Sequence, residues 1–142
     1  KARTERVYTQ MPKTGDPRLP ILGLIDVGYG ATNELGAANR GITLATTQTT
    51  PVVAPMGGII KFANDFKNYN KMIIIEHKNG YHSLIGGLTS IDTRIGRTVK
   101  AGEPIGNLRV NPSREGKARL YYELRHKGKT INPATKIKNL KS

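Results

Sequence analysis

The chain of 142 residues contains no cysteine and no tryptophan. The missing thiols exclude a disulfide scaffold, a cysteine-ligated zinc site, an iron–sulfur protein and a thiol enzyme. Acidic residues are also scarce, since 10 Asp and Glu stand against 23 Lys and Arg, for a formal net charge of +13. Even the longest apolar runs, such as Met72–Ile75, are short. They are far below the roughly 20 residues of a membrane-spanning helix.

The excess of positive charge is greatest near the end of the sequence. Residues 111–142 carry nine Lys and Arg and only two acidic residues. Such a segment attracts nucleic acid, anionic lipid, cell-wall polymer or an acidic protein face, or it simply keeps the protein soluble, and both interpretations stay open. No basic recognition helix and no aromatic platform motif is present, so we expect no nucleic-acid partner.

Short apolar stretches separated by Gly, Pro, Asn and Thr clusters at about ten-residue spacing predict an all-β domain. Residues 1–19 show no sustained period and predict an irregular N-terminal arm or linker, so we place the domain at residues 20–142. The sequence begins at Lys1 without an apolar signal region, and we expect a piece of a longer protein. The predicted strands are 41–46, 51–54, 58–63, 71–77, 81–88, 98–100, 104–108, 118–125 and 129–131.

The clearest local prediction is a β-hairpin in the middle of the chain. Ile73–Ile75 is a continuous β-branched run, typical of a strand buried on both faces. Asn79 and Gly80 form the pair that most strongly favours a two-residue hairpin turn. Residues 83–85 should therefore return antiparallel to the first strand.

Three groups of segments, taken in order, resemble the LytM domain, the lysostaphin-type zinc endopeptidase fold. The resemblance covers roughly residues 20–142 and implies two antiparallel β-sheets with a groove across the centre. The segments that carry it are 40–46 with 52–63, then 69–81, then 99–106 with 120–125 and 132–133.

In active members of that family, a His-x-x-x-Asp pair and the second His of a His-x-His element hold zinc. The first His of that element and a further His assist the reaction. Zinc needs about three imidazole or carboxylate ligands and one open position for water. Arginine and glycine side chains cannot supply a ligand, and neutral Asn, Thr and Tyr are poor substitutes. The resemblance therefore implies no metal, no cofactor and no catalytic residue. The positions concerned are occupied by Asn39, Thr43, Gly87, Arg119 and Tyr121.

The three histidines do not restore such a site. His77 and His82 flank the predicted hairpin with no nearby carboxylate except Glu76, and His126 lies in a basic segment. Adjacent residues on a strand point to opposite faces, so His82 and its neighbour Ser83 cannot share a proton. We interpret all three as structural or surface histidines.

This pattern of replacements resembles the catalytically degenerate LytM activators of the EnvC type. The resemblance implies a periplasmic protein of a Gram-negative bacterium. It would bind a zinc-dependent N-acetylmuramoyl-L-alanine amidase, displace the helix that plugs the amidase active site, and so promote septal peptidoglycan cleavage in cell division. An upstream region would connect it to a division-site membrane complex. The implied groove residues are Arg40, Thr43, Tyr69, Ile85, Tyr121 and Arg125.

Two other functions stay open at this stage. One is a zinc metallopeptidase with atypical ligands. The other is a binding module for peptidoglycan or another polyanion. For Arg125 the sequence also offers an ordinary explanation, because Glu123 lies on the same face of the predicted strand and could pair with it.

Overall fold

The computed structural model describes residues 7–32 and 36–140, except for the side chain of Tyr69. Three short 3-10 turns span Lys67–Tyr69, Lys78–Gly80 and Pro133–Lys136. Among the described residues, no helix is long and apolar enough to cross a membrane. The strands are β1 Leu24–Val27, β2 Ile42–Thr46, β3 Thr50–Val53, β4 Gly58–Phe66, β5 Asn70–Glu76, β6 Tyr81–Leu88, β7 Ser90–Ile91, β8 Thr98–Val99, β9 Pro104–Leu108, β10 Ala118–His126 and β11 Lys129–Ile131.

The strands form two antiparallel sheets, as the sequence predicted. The larger has the order β1-β2-β10-β6-β5-β4-β8, and β11 pairs with the end of β10. The smaller has the order β3-β9-β7. Strand β10 is central to the larger sheet, because it is hydrogen-bonded to β2 on one side and to β6 on the other.

The hydrophobic core lies between the two sheets. Along β10, alternate residues Leu120, Tyr122 and Leu124 are fully buried, whereas the residues between them point to the other side of the sheet. The smaller sheet supplies Val52 and Ile105, also fully buried. The smaller sheet thus covers one face of the larger sheet, and the opposite face of the larger sheet is not part of this core.

Each of the nine predicted strands is present, although several differ in length from the prediction. Two strands were not predicted, β1 and β7. In β1, Leu24 and Ile25 are both exposed, so this edge strand lacks the alternation of apolar and polar residues by which strands are detected. The two residues of β7 are too few to show any period.

The central hairpin is confirmed. Strands β5 and β6 pair antiparallel, with Ile75 opposite Ser83. Asn79 and Gly80 have φ of 62° and 80°, the positive values that a tight hairpin turn requires. Burial on both faces was predicted too broadly, because Ile73 and Ile75 are fully buried but Ile74, on the other face, is only partly covered.

The described part of the N-terminal arm, residues 7–19, is irregular, as predicted, but it is not detached from the domain. Val7 and Tyr8 are buried in the core cluster at 8% and 3% exposure. The Tyr8 hydroxyl accepts a hydrogen bond of 2.6 Å from the backbone N–H of Leu19, and Tyr8 forms a β-bridge with Leu140. Two apolar residues in a polar stretch give no periodic signal, and only the tertiary structure shows that they pack inside.

Candidate functional site

The face of the larger sheet that points away from the core carries three of the predicted groove residues, Thr43, Tyr121 and Arg125. On each of the neighbouring strands β2, β10 and β6, the residues that alternate with the core residues point to this face. We call this surface the open face. Its members on these strands are Thr43 and Ala45, then Arg119, Tyr121, Glu123 and Arg125, and then His82, Leu84 and Gly86.

The five positions that resemble zinc and catalytic positions are neighbours in space. Thr43 is paired with Tyr121 across β2 and β10, and an added Cβ on Gly87 would lie 3.2 Å from the Arg119 carbonyl oxygen. Asn39 lies just before β2. Its side-chain amide donates to the carbonyl oxygens of Gly41 at 2.7 Å and Gly28 at 3.4 Å, so this side chain ties two segments of backbone together.

Arg119 is held between two carboxylates. Its Nε donates to Asp26 on β1, and an Nη donates to Glu115 before β10, both at 3.0 Å. The hydrogen bond to Asp26, followed by the charge of Glu115, raises the pKa of Arg119 above its ordinary value. A permanent cation therefore cross-links β10 with β1 and with the loop before β10.

Tyr121 lies against the backbone where β2 begins. A Cβ added to Gly41 would be only 2.9 Å from the Tyr121 hydroxyl and 2.4 Å from the Tyr122 carbonyl oxygen, so glycine is needed for this close approach. The Tyr121 hydroxyl donates to Glu123 Oε1 at 2.7 Å. Arg125 Nε donates to the other carboxylate oxygen, Oε2, as the alternative interpretation of Arg125 predicted.

These side chains do not fit a zinc ion. A ligand set requires several neutral imidazole or anionic groups with free lone pairs. Here Arg119 is cationic, the Tyr121 hydroxyl is engaged with Glu123, and the Asn39 amide is engaged with backbone carbonyls. Within residues 7–32 and 36–140, no group of three or more His, Cys, Asp or Glu side chains is placed to hold a metal.

A depression of about 440 Å³ lies on the open face at β10. It is lined by residues 37–39, Arg40, Tyr121, Glu123 and Arg125. Arg40 is exposed at its rim, and Thr43 is half-buried beside Tyr121. Tyr69 ends the turn Lys67–Tyr69, and its side chain lies outside the described residues. A binding role for these residues stays a prediction.

Ile85 does not belong to the open face, and its predicted place in the groove is corrected. Its side chain is fully buried in the core cluster, and it is paired across the strands with the core residue Tyr122. The neighbouring residue of β6, Leu84, lies on the open face and is paired with Glu123. A shift of one residue along a strand exchanges the two faces.

Behind the open face, a buried chain of hydrogen bonds connects three side chains. His77 Nδ1 lies 2.7 Å from the Gly57 carbonyl oxygen, and His77 Nε2 lies 2.7 Å from Ser83 Oγ. Ser83 Oγ lies 3.3 Å from the Tyr122 hydroxyl. A carbonyl oxygen can only accept, so Nδ1 carries the proton, Ser83 donates to Nε2, and Tyr122 donates to Ser83.

This arrangement confirms that His77 is structural. Burial lowers the pKa of His77 and raises that of Tyr122, so both groups are held neutral. Ser83 is fully buried and is not accessible to a substrate. The sequence did not reveal these hydrogen bonds because Tyr122 is 39 residues from Ser83, and the two residues meet only through the pairing of β6 with β10.

The fold and the open face define the class of protein. The family model of Peptidase family M23 matches residues 37–133, which is well over half of the chain. The chain therefore belongs to Peptidase family M23, and its resemblance to the LytM domain is confirmed.

Two curated relatives have names that describe a role. The chain is 31% identical over 117 residues to Murein hydrolase activator NlpD of Salmonella typhimurium, covering 82% of this chain and 30% of that protein. It is 31% identical over 137 residues to Murein hydrolase activator EnvC of Escherichia coli, covering 92% of this chain and 32% of that protein. The chain thus spans about a third of the length of these relatives.

Solved structures confirm the two-sheet fold. The antimicrobial peptidase lysostaphin from Staphylococcus simulans matches with a TM-score of 0.67 at 20% identity, covering 80% of this chain and 49% of that one. A zinc-containing peptidase from Vibrio cholerae matches with a TM-score of 0.68 at 19% identity, covering 85% and 39%. Both neighbours therefore share the fold of this chain.

Proposed function

We propose that this domain is a non-catalytic activator of murein hydrolysis that binds a periplasmic, zinc-dependent N-acetylmuramoyl-L-alanine amidase through its open face. Binding relieves the autoinhibition of the amidase, and the freed enzyme cleaves septal peptidoglycan during cell division. The observation that supports the proposal is that Asn39, Arg119 and Tyr121 are each hydrogen-bonded within the protein. By the resemblance to the LytM domain, they occupy positions that hold zinc or assist catalysis in active members. The names of the NlpD and EnvC relatives support the same role.

The chemistry of the open face suits protein binding. Tyrosine and arginine are the residue types that most often dominate the energy of protein interfaces. Here Tyr121, Arg40 and Arg125 surround one depression, and their supporting hydrogen bonds hold Tyr121 and Arg125 in place. Side chains that are already ordered lose little conformational entropy when a partner binds.

Activation requires a preference for one state of the partner. A ligand shifts an equilibrium only by its differential affinity for the two states. Moving an amidase from about 1% to about 99% open needs about 5.5 kcal/mol of such preference. Two or three anchors of about 2 kcal/mol each would provide it.

The test is stimulation of candidate amidases, measured as dye release from labelled peptidoglycan. Tyr121→Ala should keep the fold and reduce stimulation by about tenfold or more. Arg94→Gln is the matched control, because Arg94 is exposed between β7 and β8, beside the opposite edge of the sheet. Equal stimulation by wild type, Tyr121→Ala and Arg125→Ala would remove the open face from the mechanism.

The metallopeptidase alternative makes an opposite prediction. Stoichiometric zinc in the purified domain, together with peptide cleavage that a chelator blocks, would establish catalysis and refute the activator proposal. The protein side chains at these positions argue for a metal-free domain that shows no cleavage of its own.

A second candidate function is binding of an anionic wall polymer, favoured by lysines at one end of the larger sheet. Lys78 and Lys127 are exposed in adjacent turns, and the Lys127 N–H donates to the Gly80 carbonyl oxygen. The Lys136 ammonium lies 4.8 Å above the Tyr81 ring. Co-sedimentation with purified sacculi should weaken steeply with salt if this surface binds the wall, and binding independent of salt would refute it.

A further inference from the structure

The depression on the open face is built around a buried carboxylate. Glu123 is 5% exposed and is the one buried acidic side chain in the described part of the chain. A buried carboxylate is costly unless it is hydrogen-bonded. Both oxygens are satisfied here, Oε1 by the Tyr121 hydroxyl and Oε2 by Arg125 Nε. The sequence predicts Glu123 only as an ion-pair partner of Arg125 and gives no sign of its burial.

The contact through Nε decides what the rest of the Arg125 guanidinium can do. Its two Nη groups donate no hydrogen bond to the described residues, and the side chain is 41% exposed. The Nη pair is the planar double donor that matches the two oxygens of a carboxylate. Glu123 therefore holds one edge of Arg125 and leaves another edge directed outward.

Charge favours an anion in the same place. Among the described residues that line the depression, two guanidinium groups, from Arg40 and Arg125, lie beside a single carboxylate, that of Glu123, so these lining residues together carry a net positive charge. Asp26 is engaged with Arg119 and does not neutralise it. Asn39 adds a short polar side chain whose amide is already engaged.

We propose that this depression receives one carboxylate side chain, Asp or Glu, from the segment of the amidase that docks on the open face. Arg125 and Arg40 bind the carboxylate, and Glu123 is a positioning residue that orients Arg125. The inference rests on the proposed function and adds the chemical identity of one contact. Its support is the complementarity of charge and its location on the same face as the proposed interface.

The first test measures the affinity of the purified amidase for the domain by calorimetry. Arg40→Gln and Arg125→Lys should each weaken binding by about tenfold, since lysine keeps the charge but loses the double donor. Arg94→Gln, at the opposite edge of the sheet, should bind like wild type. Arg40 is exposed, so its variant tests the proposal without risk to the fold.

Glu123→Gln separates positioning from simple electrostatics because the two predict opposite signs. Removal of a negative charge from the depression should strengthen the binding of an anion if only charge matters. If Glu123 orients Arg125, the same change should weaken binding by about threefold to tenfold, and Arg125→Lys should then cost little more in that background. Stronger binding by a Glu123→Gln domain that still unfolds cooperatively would overturn the positioning role.

The reciprocal test is made in the amidase. Its acidic residues in the docking segment are changed singly to the matching amides, and each change is combined with Arg125→Lys. One of them should show strong coupling in the double-mutant cycle, and additivity for every acidic residue would overturn the inference.

A carboxylate of the cell wall, in place of one from the amidase, would give a different set of results. Unchanged amidase affinity of both arginine variants, combined with lost sedimentation on peptidoglycan sacculi, would assign the carboxylate to the wall and overturn the inference alone. A wild-type domain that binds no candidate amidase would overturn the proposed function as well.

Discussion

Replacing Ser83 by alanine should destabilise the domain more than the loss of one hydroxyl suggests. Ser83 lies between two buried groups, since it donates to His77 Nε2 and accepts from the Tyr122 hydroxyl. In Ser83→Ala, the His77 Nε2 atom and the Tyr122 hydroxyl are both left in the core without a partner, whereas His77 Nδ1 keeps its hydrogen bond to the Gly57 carbonyl oxygen. Tyr122 is fully buried, so water cannot reach its hydroxyl without opening the core.

The magnitude follows from the two unsatisfied groups. Each costs about 1–3 kcal/mol, so Ser83→Ala should lose about 2–6 kcal/mol of unfolding free energy. In a domain of this size, 1 kcal/mol corresponds to about 3 °C, which gives a decrease in Tm of about 6–18 °C. Tyr122→Phe removes only the first donor, and Ser83 can still donate to His77. That variant should cost about 0.5–1.5 kcal/mol.

Urea denaturation and calorimetry of both single variants and of the double variant check this reasoning. The double variant has no Tyr122 hydroxyl, so no hydroxyl is left buried without a partner. Its decrease in unfolding free energy should therefore be smaller than the sum of the decreases in the two single variants. The reasoning is refuted if Ser83→Ala costs no more than Tyr122→Phe, or if the two losses add.

Two further predictions concern the pH dependence of stability and the room for a side chain at Gly41. Burial lowers the pKa of His77. Below about pH 6.5, the unfolded chain therefore binds a proton that the folded chain does not bind. As the pH is lowered through this range, the free energy of unfolding should decrease by at most about 1.4 kcal/mol per pH unit. His77→Gln should remove that part of the decrease in thermal melts between pH 8 and pH 5, and parallel curves for the two proteins would contradict the assignment. Gly41→Ala should cost about 1–3 kcal/mol and reduce amidase affinity, because its Cβ would press on Tyr121 and on the backbone. Gly28→Ala, whose Cβ would meet nothing within 4 Å, is the matched control in both the denaturation and the binding assay, and equal behaviour of the two variants would show that the contact with Tyr121 is unimportant.

Much of the fold was predictable because strands have a local signature. The continuous β-branched run Ile73–Ile75 and the turn at Asn79 and Gly80 predicted the hairpin of β5 and β6, and short apolar stretches predicted the other long strands. The exceptions were the exposed edge strand β1 and the two-residue strand β7, since neither has an alternating apolar face. The ordered set of segments was specific enough to indicate the LytM domain, which the family comparison confirms.

The sequence by itself determined which residues alternate, where the chain turns, and which family the ordered segments resemble. Only the tertiary structure decided which of two alternating sets faces the core, and so placed Ile85 inside and Glu123 in the depression. It also brought His77 and Tyr122 to Ser83, and Val7 into the core. The physical reason is that alternation is a local property of one strand, whereas burial and hydrogen-bond partners depend on the strands that pack against it.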